Sequence, residues 1–163
     1  MNQNLADITI VMDRSGSMQS CQQEAEAGLN QIVADQKKEK GDCNFTLIQF
    51  DTMYEVIHDG IPIGDVPHIP LQPRGMTALN DAVGKAINTV GERLSKIDED
   101  DRPGLVTLVI VTDGGENASQ EFKSGQIKSM IETQEKDYQW KVIFLGANQD
   151  AFTEGGKIGI QHS

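Results

Sequence analysis

Ile8-Thr9-Ile10-Val11-Met12, followed by Asp13-Arg14-Ser15-Gly16-Ser17, is the stretch on which the reading of this chain turns. Its apolar half is nearly continuous, the pattern of a strand buried on both faces of a parallel sheet. Its polar half sets one carboxylate and two hydroxyls at alternate positions where that strand ends, just before a long helical pattern. It therefore reads as a metal-binding loop rather than an ordinary turn. Two later segments look built to converge on it, Gly75-Met76-Thr77 and Thr112-Asp113-Gly114. A hard divalent cation, which takes oxygen ligands, would find oxygen-bearing side chains there from three loops far apart in sequence.

Working outward, Met18, Cys21, Ala25, Leu29, Ile32 and Val33 recur at helical spacing and predict a first helix. It is expected to start with Ser17 near its N-cap and to end at Lys40-Gly41, where basic residues suit the helix dipole and glycine the stop. Residues 44–50 read as strand two and 54–58 as strand three. Asp51-Thr52 leaves no room for a crossover helix, so these two should form an antiparallel hairpin. Residues 59–75 hold Pro62, Pro67, Pro70 and Pro73 with Gly60, Gly64 and Gly75, the composition of a surface loop with restricted freedom. Leu79, Ala82, Val83, Ala86, Ile87, Val90, Leu94 and Ile97 predict a second helix, and the charge run 98–101 a solvated loop without calcium-loop spacing. Residues 105–111 form a second fully apolar run, strand four, that delivers Thr112 and Asp113. A third helix is expected from near Ser124, a fifth strand over 140–145 and a short last helix over 149–157.

Strands alternating with amphipathic helices imply an α/β domain: a Rossmann-like, three-layer fold with a mostly parallel sheet, one antiparallel edge strand and helices on both faces. A length of 163 residues suits a single domain spanning the chain. In such folds ligands sit outside the carboxyl ends of the strands, where the strand order reverses. If strands one and four are neighbours there, Asp13 and Asp113 open into one crevice.

The net charge of −11 argues against nucleic acid and against anionic membranes, both of which reward basic surfaces. It is compatible with a cation or a basic partner, and solubility alone explains much of it. No apolar run approaches the roughly 18 residues of a membrane span, and the polar Met1-Asn2-Gln3-Asn4 start lacks signal-peptide character. A cytoplasmic chain is expected. Cys21 and Cys43 fit a reducing compartment without a disulfide framework. His58, His68 and His162 lack zinc-ligand spacing, and Gly155-Gly156-Lys157 lacks the rest of a phosphate loop.

Asp13-x-Ser15-x-Ser17, Thr77 after Gly75-Met76, and Thr112-Asp113-Gly114, in that order, resemble the von Willebrand factor type A domain and its metal-ion-dependent adhesion site. The elements between them match too, and the resemblance runs to about residue 160. The form with Gly114-Gly115-Glu116-Asn117 after strand four looks most like the stand-alone bacterial and phage members. The resemblance implies that Ser15, Ser17 and Thr77 offer hydroxyl ligands. It implies that Asp13 and Asp113 bind directly or through water. The metal would be Mg²⁺, with Mn²⁺ or Ca²⁺ as alternatives. Mg²⁺ prefers six oxygens at about 2.0–2.1 Å and keeps several waters, so this set leaves it open to an Asp or Glu from a partner protein.

Each residue also has a plainer reading. Ser17 caps helix one, Thr77 caps helix two with Asn80 and Asp81 in its first turn, and Asp113-Gly114 is a turn. Asp51 reads first as a turn residue and second as an acidic neighbour of the site. Glu116 lies close to Asp113 in sequence, and Asn117 reads as a loop organiser. A Mg²⁺-dependent phosphatase-like hydrolase would want an acid at position 15, where Ser15 stands, so a binding module, not an enzyme, is expected. A structural assembly part with a vestigial site is the further alternative. Family members commonly carry a sixth strand and closing helix beyond the point where this chain ends. The expectation is therefore either that the sequence is a truncated piece lacking the final strand and helix, or that strand five is an edge covered by another element or a second subunit.

Overall fold

The computed structural model describes residues 2–39, 41–112, 119 and 121–146. Its centre is β1 (Asn2–Asp13), which pairs in parallel on both sides at once. β2 (Asp42–Phe50) flanks it on one side and β4 (Pro103–Thr112) on the other, with β3 (Tyr54–Pro62) antiparallel outside β2 and β5 (Lys141–Gly146) parallel outside β4. The order β3-β2-β1-β4-β5 makes one five-stranded sheet. β1 and β4 are neighbours, as the crevice argument requires, and the strand order reverses between them.

Side-chain alternation splits the core into two layers. On one face Ile8, Ile10 and Met12 of β1 cluster with Ala25, Leu29 and Val33 of α1 (Gln22–Lys38). On the other, Val11, Ile48 and Phe50 cluster with Leu79, Val83 and Val90 of α2 (Leu79–Ser95) and Ile127 and Ile131 of α3 (Ser124–Asp137). Each fully buried side chain of this size contributes roughly 1.5–3 kcal/mol. Among the described residues no helix is long and apolar enough to cross a membrane.

Several boundaries differ from the expectation. β1 begins at Asn2, well before the apolar run, because Asn2 pairs with Pro103 of β4 and the pairing with β2 begins at Leu5. The first helix opens as a 3₁₀ turn, Gly16–Cys21, and becomes α-helical only at Gln22. The cap position of that turn is Ser15, not Ser17, and it makes no side-chain cap bond. β3 runs through Gly60 to Pro62 before a short 3₁₀ turn, Ile63–Asp65; proline is tolerated because β3 is an edge. The segment after it is more than a surface loop: Val66, Ile69 and Leu71 are buried in the α1-side core.

Side chains of α1 hold that segment as a neighbouring strand would. The Asn30 amide donates to Ile69 O at 2.9 Å and accepts the Ile69 N–H at 2.8 Å. Gln22 donates to Leu71 O and Glu26 accepts the Leu71 N–H, at 2.8 and 2.7 Å. Buried main-chain groups that a helix–loop contact would otherwise strand are thereby paired.

Asp7 lies within β1 with no solvent contact, and Arg93 of α2 grips it with two bonds, 2.8 and 3.2 Å. The same guanidinium reaches Thr46 Oγ1, which also accepts the Gly60 N–H. One arginine thus ties α2 to three strands. Burial, and secondarily the charge of Asp7, pushes the half-buried Cys43 thiol up to about 11, so it stays protonated at neutral pH. Replacing Arg93 by Met leaves the Asp7 carboxylate buried without its partner. The expected loss is about 3–5 kcal/mol in urea unfolding, and adding Asp7→Leu should restore most of it.

Candidate functional site

Asp13 is the last residue of β1 and is wholly buried. Its Oδ1 accepts the Ser15 N–H at 2.7 Å, the local turn that aspartate favours. Its Oδ2 accepts the Thr112 hydroxyl at 2.7 Å from the end of β4. The carboxylate is therefore oriented from its own loop and from the strand across the switch point. Ser15 is 1 % exposed and in extended conformation, and its carbonyl accepts the Met18 N–H that starts the 3₁₀ turn.

The loop carrying Thr77 docks on this one through main chain. Arg74 N–H donates to Arg14 O at 2.6 Å and Gly16 N–H to Gly75 O at 2.8 Å, while Arg14 N–H reaches Phe50 O at 2.7 Å. Glycine is required at the contact. A Cβ on Gly16 would stand 3.3 Å from Gly75 O, and Gly75 has φ +74 with Asp51 Cβ 3.2 Å from where its own Cβ would be. Thr77 is 3 % exposed. It does not occupy the cap of α2: the N-cap is Ala78, which has no side chain able to cap.

That service comes from elsewhere. Ser119 Oγ accepts the Asp81 N–H at 2.9 Å, and the Asp81 carboxylate accepts the N–H groups of Glu121 and Phe122 at 2.9 and 2.8 Å. The exchange resembles a capping box split between two segments. It fixes the start of α2, just after Thr77, against the segment that leads into α3.

Asp51, after β2, is a tether rather than a rim ligand. Its Oδ1 accepts the Met53 N–H at 2.6 Å, its Oδ2 the Arg74 Nε–H at 3.1 Å, and its carbonyl the Ala78 N–H at 3.1 Å. Arg14, 5 % exposed, lies with Nε 3.3 Å from the same Oδ2 and Nη1 3.3 Å from Glu55. Burial alone would raise the Asp51 carboxyl, but the Met53 N–H and the Arg74 and Arg14 guanidinium groups outweigh it and hold the group below the usual carboxylate range.

Of the five residues expected at the site, Asp13, Ser15 and Thr77 are buried, and the loop that carries Thr77 is docked on the loop of Asp13 and Ser15. Ser17 lies within the 3₁₀ turn that follows. Asp113, the residue after Thr112, lies outside the described residues, as do Glu116, Asn117 and the short helix expected over 149–157. Sequence reasoning missed Thr112 as an orienting hydroxyl and the Arg14–Asp51–Arg74 cluster. A threonine closing an apolar strand beside an acidic loop was the available signal for the first. Among the described residues no group of three or more His, Cys, Asp or Glu is placed to hold a metal. A site built from hydroxyls around one described carboxylate is a different donor set, one that suits a hard cation.

The sequence matches no family model and no curated protein. The fold does match solved structures. The PilB minor pilin of Streptococcus sanguinis, solved as a D319A mutant, aligns with TM-score 0.65 over 98 % of this chain and 55 % of its own, at 13 % identity. A von Willebrand factor type A structure from Catenulispora acidiphila aligns with TM-score 0.58 over 89 % of this chain and 33 % of its own, at 15 % identity. Proximal thread matrix protein 1 of the mussel byssus gives 0.58, 87 %, 35 % and 16 %. The chain thus has a von Willebrand factor type A-like fold and spans between a third and just over half of these proteins.

Two outcomes are expected at the loop contact. Gly75→Ala forces a side chain into a left-handed backbone against Asp51 and should cost about 1–2 kcal/mol in urea unfolding. Asp51→Asn removes a charged acceptor and should cost about 1.5–3 kcal/mol at pH 7. Because the folded Asp51 titrates below the unfolded value of about 3.9, its contribution is present above that pH and is lost as pH falls through the lower folded value. Thermal melts from pH 7 to 2 should accordingly show a shallower acid limb in Asp51→Asn than in wild type.

Proposed function

We propose that the chain is a non-enzymatic, divalent-metal-dependent protein-binding module that captures an acidic residue of a partner. The observation that supports this reading is the main-chain docking of two distant loops, Gly16 against Gly75, beside the strand-order switch, with Asp13, Ser15 and Thr77 of those loops all buried. Open α/β sheets bind ligands at that place. Ser15 and Thr77 are the hydroxyls that would hold Mg²⁺ or Mn²⁺, joined by Ser17, with Asp13 and Asp113 supplying the negative charge. When bound, the ion supplies positive charge and a coordination position for an outside carboxylate.

The chain's own residues do the preparatory work. Asp13 is kept in one orientation by the Ser15 N–H and the Thr112 hydroxyl, so little ordering remains when a ligand arrives. Ser15 and Thr77 are neutral and the two carboxylates bind directly or through water, so the shell of six oxygens stays incomplete and leaves a demand for one more oxygen ligand. A partner Asp or Glu meets it. Two of the fold neighbours are named for structural parts, a minor pilin and a thread matrix protein, which suits a binding role for this module.

Calorimetric titration with Mn²⁺ tests the reading. Saturable one-site binding is expected in wild type and a loss of at least tenfold in affinity in Asp13→Ala and Ser15→Ala. A wild type silent to both Mn²⁺ and Mg²⁺ would mean a vestigial site and end the proposal. A pull-down with and without EDTA should then lose the same proteins on chelation as on Asp13→Ala.

A further inference from the structure

A cavity of about 550 Å³ opens at the end of the sheet opposite Asp13, beside the amino ends of β4 and β5 and the second half of α2. Ile87 and Leu94 of α2, Val106 of β4 and Trp140 ahead of β5 give it an apolar wall. Asn88, Gln134 and Gln139 give it a polar one. The two charged side chains of the lining are opposite in sign and peripheral: the Arg102 guanidinium at the edge donates to the carbonyls of Ile97, at 2.8 Å, and Ser95, at 3.4 Å, and Glu92 stands on the exposed rim. The volume falls in the range of roughly 300–1,000 Å³ usual for small-molecule sites.

Two residues in the lining are kept against local preference. Gly91 sits in the middle of α2, where glycine weakens a helix. Packing does not demand it: a Cβ there would meet nothing within 4 Å, although the residue is half-buried. Gly84 on the same helix is different, since a Cβ would run into the Phe122 ring at 2.8 Å. Gly91 therefore leaves space that a side chain would fill. At the mouth, Gln139 has φ 59, the one non-glycine positive φ among the described residues; it follows the cap residue Tyr138 of α3, and this left-handed turn ends the helix, with the Trp140 N–H donating to Gln134 O.

We propose that this cavity binds an uncharged, planar heteroaromatic molecule of one or two fused rings. Its faces lie on the Trp140 and Val106 wall, and its ring nitrogens or carbonyls bond to Asn88, Gln134 and Gln139. The site is separate from the metal reading and stands without it. Trp140 is the chain's single tryptophan, so its indole N–H resonance is an unambiguous reporter of the cavity.

The test is a titration of ¹⁵N-labelled full chain with benzimidazole at pH 7.5, where it is neutral, with benzoate and benzylamine as charged controls. A saturable shift of the Trp140 indole peak with benzimidazole alone is expected. Gly91→Leu should weaken it at least tenfold while melting no lower than wild type. Asn88→Leu, a change at an exposed position that leaves the core intact, should weaken it severalfold. Absence of a saturable shift in wild type, equal affinity in both variants, or an equal response to the charged controls would each overturn the proposal.

Discussion

A carboxylate with no solvent contact at the end of a central strand is the constraint from which the upper half of this structure follows. Burying Asp13 is costly unless both oxygens find donors. One donor, the Ser15 N–H, exists only if the chain turns tightly after β1; the other, the Thr112 hydroxyl, exists only if β4 lies beside β1 and ends level with it. The carboxylate therefore demands both the loop and the strand order. A 3₁₀ turn held by the buried Met18 meets the first demand, and the parallel β1–β4 register meets the second.

The second layer of organisation is main chain against main chain. Gly16 and Gly75 allow two loops to approach within hydrogen-bond distance, and Asp51 secures the second loop by its carboxylate to Arg74 and by its carbonyl to Ala78. Thr77 is carried into place between those tethers. Such a contact is sensitive to single atoms, which is why the two glycines matter there. The α1 side chains that grip Ile69 and Leu71 hold the same segment further upstream, so its path is set over its whole length.

Much of this was legible in the sequence, and the remainder was hidden for identifiable reasons. The five strands, three long helices and antiparallel hairpin follow from apolar periodicity and connection length, and the structure has them; that β1 and β4 are neighbours, a condition the sequence left open, comes from the sheet order. Periodicity did not reveal that β1 starts at Asn2, because Asp7 reads as solvated until Arg93, far away in sequence, supplies its partner. Proline and glycine in residues 59–75 suggested a loop, but an edge strand admits Pro62, and Val66, Ile69 and Leu71 fold back into the core. The cap positions fall at Ser15 and Ala78 rather than Ser17 and Thr77, and for α2 capping is local only when the chain offers no better acceptor. Here the α2 start is capped by Ser119, and that pairing cannot be seen before the fold brings the two segments together.

Cation binding among Asp13, Ser15 and Thr77, as proposed, is open to direct measurement. A crystal of the full chain grown with Mn²⁺, measured at the manganese absorption edge, addresses it most directly. One strong anomalous peak is expected at the carboxyl ends of β1 and β4, within ligand distance of the Ser15 and Thr77 hydroxyls, and it should disappear in Asp13→Ala. Manganese density confined to other parts of the surface, with the rim hydroxyls hydrogen-bonded only to protein, would contradict it.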